Sequence, residues 1–178
     1  MQTVRVNGMN RISTRTLVAA TVATFLILLA TRTAHSGTTT ASLQVGIVVS
    51  NNCSITTSAV QFSAYDPSVS NASTPATAAG SVTLACTQGS APVIGLGSGA
   101  HQSGATRRAS DGANFIAYQL YKDGGLTQPW GDSGTDVLNA GLSPSKRPRS
   151  FTVHGQIPAG QNVPSGTYSD TITVSVNF

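Results

Sequence analysis

The 178 residues contain no glutamate, two lysines, two cysteines and one tryptophan, and charged residues make up only 9% of the chain. Without glutamate and nearly without lysine, it lacks the material of solvated helices and argues against a helical domain. Two cysteines permit one disulfide at most. Sparse charge argues against a surface built to grip nucleic acid. What the chain has in abundance is Thr, Ser, Val and Gly, and that composition builds strands and turns.

Only one long apolar run is present, and it lies at the N-terminus. Residues 1–16 hold Arg5, Arg11 and Arg15 with no acid, Leu17–Ala30 is almost wholly apolar, and Ala34 and Ser36 give an A-x-S arrangement. This pattern is that of a secretory signal peptide over residues 1–36, cut near Ser36–Gly37, since the run is short for a membrane span. An uncleaved anchor is the rival reading. Export would carry the remaining domain, residues 37–178, into an oxidising compartment. Removing Arg5, Arg11, Arg15 and Arg32 leaves six basic residues against six aspartates, so the mature chain is neutral. The pI near 9.5 belongs to the precursor, and no nucleic-acid partner follows from it.

The last eight residues alternate without a fault: Ile172, Val174, Val176 and Phe178 share one face, and Thr171, Thr173, Ser175 and Asn177 the other. That is a strand with one buried face. Strands are expected at Ala41–Val49, Ser54–Phe62, Gly80–Cys86, Val93–Leu96, Phe115–Lys122, Ser150–Ile157 and Tyr168–Phe178, with loops at 63–79, 97–113 and 123–149. Seven short strands between turn signals point to an all-β, immunoglobulin-like antiparallel β-sandwich. The terminal strand has no following segment to cover its outer edge, so either an earlier segment or another molecule pairs with it.

Cys53 and Cys86 arrive together in an oxidising compartment, which favours a disulfide between them. Metal ligation lacks companion ligands nearby, and a reactive thiol lacks an activating base. Pro158, Gly160, Pro164 and Gly166 make 158–167 a loop that delivers the chain into its last strand. Tyr168 is placed to bury its ring and bond a nearby carbonyl, as corner tyrosines do. Trp130 is expected to plug the core rather than bind sugar.

The run Gly155-Gln156-Ile157-Pro158-Ala159-Gly160-Gln161-Asn162-Val163-Pro164-Ser165-Gly166-Thr167-Tyr168-Ser169-Asp170-Thr171, followed by alternating residues to a terminal aromatic, resembles the spore coat protein U family, which includes archaic chaperone–usher pilus subunits. The likeness continues through Cys53, Phe62–Pro67, Gly80–Thr87, Tyr118–Asp123 and Trp130–Asp132. It implies a sandwich that is incomplete, its last strand supplied in trans by a neighbouring subunit. It also implies three partners: a periplasmic chaperone, an outer-membrane usher, and identical or homologous pilin subunits. Leu43, Val45, Ile47 and Val49, within the segment 37–49, are then the donor-strand face. Ile172, Val174, Val176 and Phe178 border the acceptor groove and the chaperone-binding surface, with the Phe178 carboxylate as the group such chaperones anchor. The implied function is a structural subunit of a secreted fimbria serving adhesion or biofilm formation. A self-contained spore-coat or extracellular-matrix protein is the alternative, and a two-domain tip adhesin would need about twice the length.

The chain departs from that family in three places. Arg107-Arg108-Ala109 lacks the large apolar residue usual two positions after the loop arginine, so that contact is weaker or moved. Lys146-Arg147-Pro148-Arg149 reads as a solvated loop, with a binding patch as the alternative. His154 stands where the family often has an aromatic residue. No catalytic residue, metal site or cofactor is expected. Gly95, Gly97 and Gly99 miss the dinucleotide fingerprint and read as a flexible turn. His101 and His154 have no nucleophile elbow beside them. Asp123, Asp132 and Asp136 read as turn formers rather than calcium ligands. Asn71-Ala72-Ser73 matches a glycosylation sequon by composition alone.

Overall fold

The computed structural model describes residues 35–178, and the expected signal peptide lies outside the described residues save for its last two positions. The chain divides into two units, Met1–Val45 and Gly46–Phe178. In the first, residues 35–45 form no helix or strand and are exposed throughout. The second carries eight strands: β1 Cys53–Ser58, β2 Ala76–Cys86, β3 Val93–Leu96, β4 Arg107–Ser110, β5 Phe115–Tyr121, β6 Leu138–Asn139, β7 Arg149–Ile157 and β8 Val174–Asn177. A single 3-10 turn, Gly134–Asp136, is the one helical element among the described residues.

The strands form two antiparallel sheets, ordered β1-β2-β7-β5-β4 and β6-β3-β8, which make an immunoglobulin-like sandwich. Period-two alternation drives the packing. In β2, Val82, Leu84 and Cys86 are buried while Ser81, Thr83 and Ala85 are less so, and in β7 Val153, Gly155 and Ile157 follow the same rule. Val82, Leu84, Ile94, Leu96, Leu120, Trp130 and Val153 make one core between the sheets. Cys53 lies directly opposite Cys86 in the β1–β2 ladder, and the two form a disulfide.

Trp130 is fully buried. Its indole N–H donates to the Ile94 carbonyl at 3.1 Å, and its backbone N–H donates to the Leu120 carbonyl at 2.9 Å, so one residue ties both sheets to the core. Beside it Arg107, only 5% exposed, donates to the carbonyls of Gly97, Leu96 and Trp130 and to Gln119 Oε1. Burial pushes its pKa down, and those acceptors make a buried guanidinium tolerable.

Several expectations need correction. Ala41–Val49 forms no strand, because nothing among the described residues pairs with its backbone. The strand expected over Ser54–Phe62 stops at Ser58, and the ladder expected from Tyr168 starts only at Val174. Two short strands, β4 and β6, occupy stretches expected to be loops. Gly95 and Gly99 are not a flexible turn. Gly95 belongs to β3 with Ser175 Oγ 2.7 Å from where a Cβ would stand, and Gly99, at φ +88°, would drive a Cβ into the Asp170 carboxylate. Arg149 is not a free basic patch, since it donates to the Ala140 carbonyl at 2.7 Å and to Ser143 Oγ at 3.0 Å. Lys146 and Arg147 remain exposed. The Asn71 amide is buried and bonded to the Thr74 carbonyl and the Asp66 N–H, which leaves that sequon no accessible acceptor.

Candidate functional site

Among the described residues β1 ends one sheet and β8 ends the other, and a cleft of about 790 Å³ is lined by the segment that follows β1 and the segment that leads into β8. Its floor is the core itself, with Val82, Leu96, Ile116, Leu120, Val153 and Ile157 reached from above. Each of these floor residues is 7% exposed or less.

One wall is residues 57–65. Ile55 and Thr57 pair with Leu84 and Val82 and therefore face inward, yet Ile55 is 39% exposed while its partner Leu84 is 1% exposed. After Ser58 the chain leaves the ladder and crosses the inner face of the sheet. Close approach requires glycine beneath it: a Cβ at Gly155 would come within 2.7 Å of Phe62 and Val60, and one at Gly80 within 2.6 Å of the Ser58 carbonyl. The backbone of residues 59–65 makes no hydrogen bond to backbone of the described residues. It is held instead by the Tyr65 hydroxyl, which donates to the Pro158 carbonyl at 2.8 Å and accepts from the Gln161 N–H at 3.0 Å.

The other wall is residues 166–174. Ile172 and Val174 line the cleft, and Val176, opposite Ile94 in the β3–β8 register, packs half-buried against the core. Phe178 is 51% exposed. β3 occupies one edge of β8, and among the described residues no strand lies beside the other edge. Tyr168 makes the expected corner, its hydroxyl donating to the Pro164 carbonyl at 2.9 Å.

The apolar wall ends at a buried polar cluster that sequence reading did not single out. Asp170, one pleat before Ile172, lines the cleft with its carboxylate 3% exposed. It accepts from the Tyr118 hydroxyl at 2.6 Å and the Ala100 N–H at 2.9 Å, and sits 3.1 Å from His101 Nδ1. Burial pushes its pKa up, but the hydrogen bonds from Tyr118, Thr171, His101 and Ala100 outweigh this and hold it below 3.8. Burial, then the bond to Asp170, pushes the Tyr118 hydroxyl up. No signal in the sequence joins Tyr118 to Asp170, which the fold alone brings together.

Leu43, Val45, Ile47 and Val49, the expected donor face, lie in no strand and are 89%, 77%, 84% and 78% exposed. Residues 50–52 are anchored: the Ser50 and Asn52 carbonyls accept from the Thr87 side chain and N–H, and Asn51 Oδ1 accepts from Ser90 Oγ at 2.8 Å. Asp123 caps its own turn by accepting from the Gln128 and Thr127 N–H groups, as a turn former does.

Two strand edges without a partner among the described residues, a cleft beside them and one disulfide mark an immunoglobulin-like β-sandwich domain. The chain belongs to the Spore Coat Protein U domain family, whose signature matches residues 39–175. It is 37% identical to Protein U of Myxococcus xanthus over 179 aligned positions, covering 92% of this chain and 98% of that protein. Among solved structures it is similar to a chain of the CsuC–CsuE chaperone–tip adhesion subunit pre-assembly complex from archaic chaperone–usher Csu pili of Acinetobacter baumannii. The TM-score is 0.53 and the identity 25%, over 73% of this chain. The match spans 40% of the solved chain's length.

Proposed function

We propose that this chain is a structural subunit of a secreted cell-surface fimbria, assembled through a chaperone–usher pathway by donor-strand complementation and serving adhesion or biofilm formation. The observation that carries the reading is that β1 and β8 end the two sheets with no further strand among the described residues, beside a cleft whose walls run on from those two strands. Such a site suits β-strand addition, where main-chain bonds supply affinity and alternate side chains enter the floor. The exposed alternation of Leu43, Val45, Ile47 and Val49 has the right chemistry for the occupant. In this reading residues 1–36 are a cleaved signal peptide, 37–49 the donor segment, and Phe178 with Ile172, Val174 and Val176 the surface offered first to a periplasmic chaperone. An outer-membrane usher and identical or related subunits complete the partners. The role is structural rather than enzymatic.

The likeness to Protein U along nearly the whole chain favours a second reading, a coat or matrix protein that completes its own fold. Deleting residues 41–49 separates the two. A pilin lacking them still accumulates with its chaperone but forms no fibres, whereas a self-completing coat protein loses folded yield.

A further inference from the structure

We propose that Asp170 sets the register in which the Leu43–Val49 segment of a second copy of this chain enters the cleft. The inference rests on the donor-strand reading and adds the partner and its alignment. Along the terminal wall Asp170, Ile172 and Val174 line the cleft, Val176 packs half-buried against the core, and the 51% exposed Phe178 follows on the same alternation. Four are apolar and the fifth is a buried carboxylate already committed to Tyr118, Ala100 and His101. The donor likewise offers four apolar residues on one face, Leu43, Val45, Ile47 and Val49, and the next position on that face is Asn51, engaged by Ser90 of its own body.

Neighbours in both sheets are antiparallel, so the inserted strand runs antiparallel to β8. Only one alignment then matches all four pairs: Leu43 with Phe178, Val45 with Val176, Ile47 with Val174, and Val49 with Ile172. A slip of one residue turns the apolar face outward. A slip of two toward the cluster sets Val49 against the Asp170 carboxylate, and a slip of two the other way sets the polar Asn51 against Ile172. The same residues therefore make the segment and the cleft of one chain complementary, and the partner is a second copy.

Cross-strand cysteines test the register, because only directly opposed residues come close enough to bridge. Fibres assembled from the full chain with its chaperone and usher would carry Ile47→Cys paired with Val174→Cys, with Ile172→Cys or with Val176→Cys, and be oxidised and run on non-reducing denaturing gels. A covalent ladder is expected from the 47/174 pair, at least tenfold stronger than from the other two. A ladder favouring 47/172 or 47/176, or none from any pair in intact fibres, overturns the register while leaving donor-strand assembly standing. Fibres that still form after deletion of 41–49 overturn both. Asp170→Leu added to the 47/172 pair should bring up the shifted ladder, with the equal-sized Asp170→Asn in its place should the leucine variant not accumulate. A 47/172 ladder that stays absent in the variant that accumulates removes Asp170 from the role.

Discussion

Placing an aspartate at Ile47 separates assembly from folding more sharply than any other change in this chain. In the subunit itself Ile47 is 84% exposed and belongs to no strand, so Ile47→Asp should shift its unfolding free energy by no more than about 0.5 kcal/mol. In the proposed donor-strand assembly the same position is buried in a neighbour's cleft. There the substitution forfeits roughly 1.5–3 kcal/mol of apolar burial. It must also bury a carboxylate, or protonate it at neutral pH against a reference pKa near 3.9, at a cost of about 4 kcal/mol. Together these weaken subunit–subunit association by about four orders of magnitude. The assay pairs the yield of chaperone-bound subunit and its urea midpoint with fibre counts by electron microscopy. Normal yield and midpoint without fibres is the expected result. A fall of more than about 1 kcal/mol in subunit stability, or fibres at parental abundance, refutes the reasoning, the first by placing Ile47 in its own core.

Appending a copy of residues 41–49 after Phe178 through a short flexible linker should raise the unfolding midpoint and give a monomer that no longer aggregates, each newly covered apolar side chain adding about 1.5–3 kcal/mol; a midpoint unchanged by scanning calorimetry counts against an unfilled cleft. Cys86→Ser should lower stability by about 3–4 kcal/mol for the 33-residue separation it opens, and thiol labelling of the parent recovered from the periplasm should find no free sulfhydryl. Arg107→Met should cost roughly 3 kcal/mol in urea unfolding, since the carbonyls of Leu96, Gly97 and Trp130 lose a shared donor in the interior; a neutral result would mean that water replaces it. Asp111, held down to about 2 by the Asn114 N–H and side chain and the Ala113 N–H, stabilises its loop fully above the ordinary value of 3.8 and loses that contribution as pH falls toward 2. Its carboxyl titration by NMR should show the depressed midpoint, and one near 4 would remove the cap.

The terminal alternation, the disulfide, the corner at Tyr168 and the buried Trp130 were legible because each depends on residues near in sequence or on one dominant property. A period of two needs only eight residues to declare itself, and an indole in a neutral chain has few places to go but the core. Arg107 was not legible. An arginine in a stretch without acids reads as solvated, and its true acceptors are carbonyls at positions 96, 97 and 130 together with Gln119, which only the folded sheets gather. β4 and β6 escaped because four and two residues are too short for periodicity to speak. The wall over residues 59–65 escaped for a different reason: its departure from β2 is dictated by Gly80 and Gly155, which belong to other strands. Asp170 reads locally as a turn residue before a strand, and its role at the end of the cleft depends on Tyr118, 52 positions away.

The pattern of exposure also says what kind of partner the cleft needs. The core residues Val82, Leu84, Ile94 and Leu96 are at most 2% exposed, so the two sheets already seal their own interior. Around the two free edges, apolar surface is uncovered at Ile55 and Phe178 and half-covered at Val174 and Val176. A partner that supplied a whole missing layer would find no bare core to cover, whereas in the donor-strand reading one strand added at these edges covers side chains of this set. Folding of the core and filling of the cleft are therefore separable steps in the same molecule. The first depends on residues 53–178 and their disulfide. The second depends on a single added strand, and so changes at Ile55 should weaken strand addition while leaving Leu84, its fully buried cross-strand partner, in place.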